Sequence, residues 1–405
     1  MEKELLVGVD EFTVVLHLKE PVDSKDWLLI ADKFIVEFLS KSKVELLFDR
    51  LIPMTSRLPA GYTEALTVEN VTWYFAIAMH EYYQEMGVIV RFSAEAWAWY
   101  QRLYMDKFQQ PMSIAVFYQQ IQSDNYETRI SRIDLTADYY NYGELLKPNT
   151  IYNALVNRAI VVVDGNERAA NRKITHYGTG GFIETVYIGS KKENTKALCR
   201  IYDKRLEQIN KNGFRLDEAL ACDDWTRFEI SYRGTYAWQC AEQLLCVNGD
   251  IELSQCIAGK ITDKFRFYVL ESEDYTEYTN DLLDIKGNDS FSALRSENPR
   301  NNNLRESIAY LLKGSGLFPT LYKIGYIWGE DAEIELLRYL YNEYKAVYEP
   351  DAYKDRKLMS WIANNYKTLH DDKVTSFLPY SSLMKGGGEN EEVRSPNLGK
   401  DESHA

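Results

Sequence analysis

The chain has 405 residues, of which 45% are hydrophobic and 27% are charged, and this length predicts two or three domains with a sizeable core. The longest apolar run, Val71 to Met79, is about half of what a bilayer crossing needs, and the first residues show no basic stretch followed by a hydrophobic one, so membrane spans and secretion are not expected. Five cysteines without a CxxC pair argue against a disulfide framework and a thiolate zinc site, and the expected location is cytoplasmic.

Charge is unevenly distributed along the chain. The net charge of −14 by itself disfavours a nucleic-acid partner, because binding of phosphates requires clustered Lys and Arg. Residues 168–215 reverse this balance, with eleven Lys or Arg against four Asp or Glu. We call this stretch the basic segment. It is either a solvated surface or a phosphate-binding one, and charge alone leaves both open.

In the first 110 residues, β-branched runs predict two strands and apolar periodicity predicts three helices. The strands are expected over 8–18 and 88–93, and the helices over 26–47, 70–86 and 95–108. Strands dominate afterwards, over 129–139, 185–189, 197–202 and 226–233, with helices over 149–156 and 203–211. This order predicts an α+β fold with a largely antiparallel central sheet and flanking helices.

The pattern of predicted elements changes after residue 264, from mixed strands and helices to a polar stretch and short helices. Residues 281–303 are polar and Asn-rich, which predicts a linker or a long loop. Short helices are expected over 304–312, 317–326, 330–348 and 355–369. We therefore predict a first domain over 1–264, a smaller and mainly helical domain over 265–370, and a disordered tail over 371–405.

Two of the predicted strands carry their polar residues on one face. Alternation along residues 132–138 and 227–233 separates polar from apolar side chains in both. The polar face presents Arg132, Asp134, Thr136, Asp138, Arg227, Glu229, Ser231 and Arg233. It is either a solvated face with cross-strand ion pairs or a floor of carboxylates that binds a divalent ion through hard oxygen ligands.

A tyrosine of the basic segment lies at the end of a predicted strand that runs directly into a helix. Tyr202 shares a strand face with Arg200, and Lys204 follows in the first helical turn. A phenol with a pKa near 10 needs a neighbouring cation or metal to attack a phosphodiester, and the same charge stabilises the phosphorus intermediate. The chain has 30 tyrosines, so the position alone does not distinguish a nucleophile from a core or surface aromatic.

The order of these motifs resembles the Rep_trans family, which groups rolling-circle plasmid replication initiators with relaxases of Gram-positive integrative conjugative elements. The motifs are RIDLTAD at 132–138, YIGSKK at 187–192, RIYDK at 200–204 and RFEI at 227–230. The resemblance extends over about residues 5–330. It implies a fold of the rolling-circle initiator nuclease type and a first domain that nicks and closes DNA, sequence- and strand-specifically, through a covalent 5′-phosphotyrosine.

The resemblance also implies roles for individual residues. Tyr202 would be the nucleophile, assisted by Arg200 and Lys204. Asp134 and Glu229 would bind Mg²⁺ or Mn²⁺, with Asp138 and Glu207 as further candidates; Asp138 is about 13 Å from Asp134 along an extended strand, too far to share one ion easily. Contacts with DNA are expected from Lys191, Lys192, Lys196, Arg205, Arg227 and Arg233.

Origin DNA is the expected partner, both double-stranded and as an exposed single strand. The helical region after residue 265 resembles the part of the family that helps to recognise the origin. Other candidate partners are a host helicase, a polymerase and a second copy of the chain. Binding to a membrane is not expected. One alternative is an origin-binding regulator that no longer cuts. Another is a hydrolase that uses Asp134 and Glu229 on a different substrate, which does not account for the basic segment.

Overall fold

The computed structural model describes residues 2–20, 22, 25–169, 172–192, 195–287, 291–294 and 315–348, with single positions at 308, 311, 358, 359, 362, 363 and 366. The chain divides into two compact units, Met1–Arg295 and Ser296–Ala405. Among the described residues, no helix is long and apolar enough to cross a membrane. All five cysteines are free.

The first unit is built on antiparallel strands. In chain order they are β1 (Glu4–His17), β2 (Leu51–Pro53), β3 (Glu64–Val68), β4 (Phe75–Met79), β5 (Val88–Phe92), β6 (Glu127–Tyr140), β7 (Ile160–Val163), β8 (Ile174–Thr179), β9 (Phe182–Ile188), β10 (Ala197–Asp203), β11 (Trp225–Arg233), β12 (Arg266–Val269) and β13 (Asp274–Tyr275). Ten of them form one sheet in the order β2-β3-β4-β5-β1-β6-β11-β10-β9-β8, and the other three form a small sheet in the order β13-β12-β7.

Helices flank the sheets. In the first unit they are α1 (Trp27–Ser42), α2 (Val44–Leu47), α3 (Ala94–Phe108), α4 (Ile114–Gln120), α5 (Pro148–Val156), α6 (Lys204–Lys211), α7 (Leu216–Leu220), α8 (Thr235–Leu244), α9 (Asp250–Thr262) and α10 (Glu277–Lys286). The second unit contains α11 (Leu317–Trp328) and α12 (Glu330–Val347). Together with the sheets, these helices confirm the predicted α+β class.

The apolar face of the central strands forms much of the core. Ile133 and Leu135 of β6 and Phe228 and Ile230 of β11 are buried there, and α8 and α9 contact these strands. The hydroxyl of Tyr232 donates a hydrogen bond to the backbone carbonyl of Lys260 in α9 at 2.7 Å. A slip of one residue would exchange the two faces of a strand, so burial of this face fixes the register and holds the polar residues on the opposite face.

Most predicted elements of the first unit are confirmed within a few residues, but the helix predicted over 70–86 is wrong. This stretch contains β4 and a short 3-10 helix at Gln84–Met86. All five residues of β4 are buried. A strand covered on both faces is apolar throughout instead of alternating, and a short apolar run of this kind cannot be distinguished from a buried helix by periodicity.

The first compact unit extends beyond residue 264, where the sequence places a domain boundary. Strand β12 pairs with β7, and α10 contacts α9, so residues 266–287 pack with the first unit. In the second unit, α11 and α12 correspond to the helices predicted over 317–326 and 330–348. The helices predicted over 304–312 and 355–369 lie largely, and the tail entirely, outside the described residues. The division into functional domains remains a prediction.

Candidate active site

Strands β6, β11 and β10 are neighbours in the sheet, and their register places predicted site residues opposite one another. Tyr202 opposes Arg227, which in turn opposes Asp138 on the other side of β11. Arg200 opposes Glu229. Directly opposed residues of an antiparallel pair have side chains on the same face. The nucleophile candidate and the acidic residues therefore share one polar face, which we call the floor.

Tyr202 is fixed by the direct transition from strand to helix. It is the penultimate residue of β10, and Asp203 caps α6 by accepting a hydrogen bond from the backbone N–H of Leu206 at 2.7 Å. Lys204 is therefore the first residue of α6, and its Nζ lies 5.6 Å from the centroid of the Tyr202 ring. The guanidinium of Arg200 lies 4.6 Å from the same centroid. Two cations thus flank the phenol.

The phenol is buried and protonated in this arrangement. Only 6% of Tyr202 is exposed. Burial raises the pKa of Tyr202 well above its ordinary value, the charge of Glu229 raises it further, and Arg227 and Arg200 oppose this rise. Attack on phosphorus therefore requires a group that accepts the phenolic proton.

Glu229 is placed to accept that proton. The hydroxyl of Tyr202 donates a hydrogen bond to Glu229 Oε2 at 3.3 Å. Arg200 donates to the same oxygen. Burial raises the pKa of Glu229 above its ordinary value, and the charges of Asp10 and Asp134 add to this rise against the effect of Arg200. A carboxylate with a raised pKa is a stronger base than an exposed one.

Asp134 lies on the same floor, held by two donors. Arg132 donates to both of its carboxylate oxygens, at 3.0 and 2.6 Å, and the hydroxyl of Ser231 donates to Oδ1. Burial raises the pKa of Asp134 even though Arg132 favours its charged form. Asp134 and Glu229 are therefore both nearly inaccessible carboxylates whose pKa values are raised by burial, although each pairs with an arginine.

Asp138 differs from these two because two arginines, Arg227 and Arg215, pair with it. Arg227 donates to its two oxygens at 2.7 and 2.8 Å, and the indole N–H of Trp225 donates at 2.7 Å. Burial opposes ionisation, but the charges of Arg227 and Arg215 hold the pKa of Asp138 below its ordinary value. Arg227 is itself only 2% exposed. Both residues are engaged in a buried ion pair.

Glu207 is engaged in a similar way on α6. It accepts hydrogen bonds from Lys204 at 2.6 Å and from Lys211 at 2.8 Å. Although burial acts in the opposite direction, these two lysines lower the pKa of Glu207 to about 2. The carboxylate of Glu207 thus neutralises the lysine that flanks Tyr202.

Two acids of β1 complete the floor, and neither was among the predicted site residues. The register of β1 against β6 shifts in the middle of β1, so that two consecutive residues, Asp10 and Glu11, oppose one residue of β6. Asp10 pairs with Arg227 at 2.6 Å, and Glu11 pairs with Arg132 at 2.6 Å. Two adjacent acids inside an apolar strand were the only sequence signal, because strict alternation would place them on opposite faces.

The donor chemistry of the floor fits a hard divalent cation. Asp134 and Glu229 are buried carboxylates with raised pKa values, and carboxylate oxygens are the ligands that Mg²⁺ and Mn²⁺ prefer. Both bonds from Arg200 and Tyr202 go to Oε2 of Glu229, and within the described ranges no bond to Oε1 is present. The described part of the chain contains no group of three or more His, Cys, Asp or Glu arranged to hold a metal ion.

The predicted DNA contacts differ in accessibility. Lys191, Lys192 and Lys196 are exposed, with Lys196 donating to Thr235 Oγ1 at 3.1 Å. Arg205 and Arg233 are half-buried, and Nε of Arg205 donates to the carbonyl of Cys222 at 3.1 Å. Arg227 is committed to the buried ion pair. Among the predicted DNA contacts, the exposed cations are therefore the three lysines.

A cavity of ≈ 410 Å³ adjoins the floor on the side of β1. Residues of β1, β6, β11, α3 and the loop before α7 line it, and the polar groups among them are Asp10, Gln101, Thr136, Asp138, Arg215 and Arg227. The cavity therefore lies between α3 and the part of the floor that contains Asp10 and Asp138. Sequence analysis does not indicate it, because α3 carries none of the predicted site residues.

The geometry therefore combines a tyrosine between two cations with a floor of carboxylates. Residues 128–313 match the family model Rep_trans, described as replication initiation factor. The matched segment contains every predicted site residue, which confirms the resemblance noted in the motifs and supports a function in replication initiation. The structure also resembles that of the rolling circle replication initiator protein from Geobacillus stearothermophilus, with 16% sequence identity and a TM-score of 0.45, over 70% of this chain and 97% of that chain. No curated protein matches the chain.

Proposed function

We propose that the chain is a sequence- and strand-specific DNA nicking–closing enzyme that initiates rolling-circle replication or conjugative transfer, with Tyr202 as its nucleophile. The observation that carries this proposal is the hydrogen bond from the Tyr202 hydroxyl to Glu229 at 3.3 Å, beside the cations Arg200 and Lys204. The family match over residues 128–313 supports DNA as the substrate.

In the proposed reaction, the Tyr202 oxygen attacks the scissile phosphorus while Glu229 accepts the phenolic proton. Arg200 and Lys204 stabilise the negative charge that develops on the non-bridging oxygens. The bond from phosphorus to the 3′ oxygen breaks, and this oxygen takes a proton from water to become a free 3′ hydroxyl. The 5′ phosphate remains joined to Tyr202, and attack by a 3′ hydroxyl on this ester rejoins the strand without ATP.

Arg200 has a donor that the protein leaves unused. Its Nε is buried, and within the described residues it has no hydrogen-bond partner. A buried donor without a partner costs free energy, so such a donor beside a nucleophile is suited to a phosphate oxygen of the substrate.

Asp134 and Glu229 are the proposed ligands of Mg²⁺ or Mn²⁺. When bound, such an ion would neutralise phosphate charge and orient the scissile group. The other two candidates each pair with two cations, Asp138 with Arg227 and Arg215 and Glu207 with two lysines, and these cations lower the pKa of both acids. We therefore assign Asp138 and Glu207 to the support of the cations rather than to the metal.

A regulator that binds the origin without cutting it is the alternative function. The burial of Tyr202 favours this alternative, because a nucleophile must reach its substrate. The position of Glu229 favours cutting, since a protein that only binds DNA needs no base next to a phenol.

Incubation with supercoiled DNA that carries the flanks of the protein's own gene distinguishes the two functions. We expect Mg²⁺-dependent open circles with protein attached to the 5′ end. Tyr202→Phe should bind the DNA but form no adduct, since only the nucleophilic oxygen is removed. Tyr82→Phe, at an exposed position that follows β4, is the matched control and should form the adduct normally. An adduct on Tyr202→Phe would refute the assignment, and binding without cutting by the unmodified chain would establish the regulator.

A further inference from the structure

The two outer strands of the large sheet continue the polar face beyond Tyr202. Strand β9 pairs with β10 so that Thr185 opposes Tyr202 and Tyr187 opposes Arg200. Strand β8 pairs with β9 so that Tyr177 opposes Thr185. Because opposed residues share a face, Tyr187 and Tyr177 lie on the same face of the sheet as the proposed nucleophile.

Tyr177 is close to Tyr202 and is open to solvent. Two strand spacings separate them, which is about 10 Å, a distance that a few nucleotides of single strand can bridge. The side chain of Tyr177 is 61% exposed. It therefore adds little to the core, and its ring is available for contact with a ligand.

Tyr187 is half-buried and carries a cation on its ring. The Nζ atom of Lys191 lies 3.3 Å from the ring centroid. Lys191 is exposed, and it forms no ion pair with a carboxylate in the part of the chain that the structure describes. The arginines Arg132 and Arg227 on the inner strands are, in contrast, bound to acids. Beside β9, the sheet thus has a positive charge that pairs with no carboxylate of the described residues.

An exposed ring and a half-buried ring beside a cation are suited to single-stranded DNA. Bases of any sequence stack on aromatic side chains, and a cation beside the rings attracts the phosphates. The base faces of duplex DNA are not accessible. Duplex DNA would therefore contact the cation through its phosphates but would not stack on the rings.

We propose that Tyr177 and Tyr187, together with Lys191, form a stacking platform for the single-stranded DNA that adjoins the scissile phosphate. The proposal rests on the proposed function, which makes Tyr202 the point where the strand is held. The platform supplies affinity without sequence preference, because every base has a face that can stack.

The test measures binding of a single-stranded oligonucleotide to the full chain carrying Tyr202→Phe, which prevents covalent attachment. Tyr177→Ala and Tyr187→Ala should each weaken binding about 5- to 160-fold, the range that corresponds to loss of one stacked base. Tyr177→Phe and Tyr187→Phe should bind normally, because the ring is kept. Tyr82→Ala is the matched control: Tyr82 is 70% exposed and follows β4, on the far side of β1, and its loss should leave affinity unchanged.

Two results would overturn the platform. One is unchanged single-strand affinity in the double alanine variant. The other is a change of oligomeric state in sedimentation with DNA affinity intact, which would make the edge strand β8 a contact between two copies of the chain. If the unmodified chain forms covalent adducts and the alanine variants bind normally, the platform fails and the nicking function stands. If the variants lose affinity and no adduct ever forms, the nicking function fails and the platform stands.

Discussion

At the scale of single residues, Glu207 links the stability of α6 to pH. The pKa of Glu207 is about 2 in the folded chain, against about 4.3 for an unfolded glutamate, because Lys204 and Lys211 favour its charged form. A lowered folded pKa contributes stability that is fully present above pH 4.3 and is lost as pH falls through 2. At neutral pH the full stabilisation by the ionised Glu207 carboxylate is therefore present.

We expect Glu207→Gln to lower the free energy of unfolding by about 1–2 kcal/mol at pH 7, a value reduced for screening by solvent. Urea unfolding at several pH values measures it, and the gap between variant and parent should narrow as pH falls below 4.3. Glu45→Gln, at an exposed helical position, is the control. If Glu207 is instead a metal ligand, Glu207→Gln should have the same free energy of unfolding as the parent chain. It should then need a higher metal concentration to cut DNA.

Sequence and structure agree best for residues whose position follows from strand alternation. Asp134 and Glu229 were predicted on one polar face, and they lie there because β6 and β11 pair in register. Asp10 and Glu11 could not be predicted in this way. Their common orientation depends on an irregularity in the pairing of β1 with β6, which is a property of two strands together and not of either sequence.

At the scale of elements, β6 carries two acids on one face that have different partners. Asp134 contacts Arg132 and Ser231, whereas Asp138 is bound by Arg227 and Trp225. The difference in their pKa shifts follows from these partners. The pKa of Asp134 is raised by burial although Arg132 pairs with it, whereas the pKa of Asp138, which has two arginine partners, is lowered.

We expect adduct formation to require Mg²⁺ or Mn²⁺ and to stop in excess EDTA. Asp134→Ala should raise the metal concentration for half-maximal cutting by more than tenfold or abolish cutting, because it removes a hard oxygen ligand. Asp138→Asn keeps an oxygen acceptor for Arg227 and should retain the metal dependence of the parent. Full cutting in EDTA would exclude the metal, and an equal metal requirement in both variants would exclude Asp134 as its ligand.

The elements themselves could be predicted where polar and apolar residues alternate along the sequence. Strands β6, β10 and β11 alternate and were located correctly. Strand β4 contains only apolar residues, so it has no alternation, and it was mistaken for a helix. Strand β8 was missed, because its residues are half-buried or exposed and give no hydrophobic pattern. The sequence therefore did not indicate the sheet edge on which the proposed platform depends.

At the scale of the whole molecule, an acidic chain has to bind an acidic polymer. The basic segment has a net charge of +7, so the remainder carries −21. Its exposed lysines lie beside β9 and β10, the strands that carry Tyr187 and Tyr202. A local cluster of this kind can bind phosphates although the overall charge is repulsive, because salt screens charges more than about 8–10 Å away.

Phosphate contacts at this cluster should be visible in the salt dependence of binding. Each contact with phosphate contributes about 0.9 to the slope of log affinity against log salt for duplex DNA and about 0.7 for a single strand. Lys191→Ala combined with Lys192→Ala should therefore lower the slope by up to about two such contacts. It should weaken binding to origin and random DNA alike, since phosphate contacts do not read sequence.

A control with the same change in net charge makes this prediction specific. Lys19 and Lys33 are exposed lysines of the first unit outside the basic segment, and their double alanine variant should keep the slope of the parent chain. Titration of a fluorescent oligonucleotide at four salt concentrations measures both variants. If both double variants lose the same amount of slope, the salt dependence of binding reflects only the total charge of the chain. An unchanged slope after loss of Lys191 and Lys192 would place the phosphate contacts elsewhere and leave the basic segment a solvated surface.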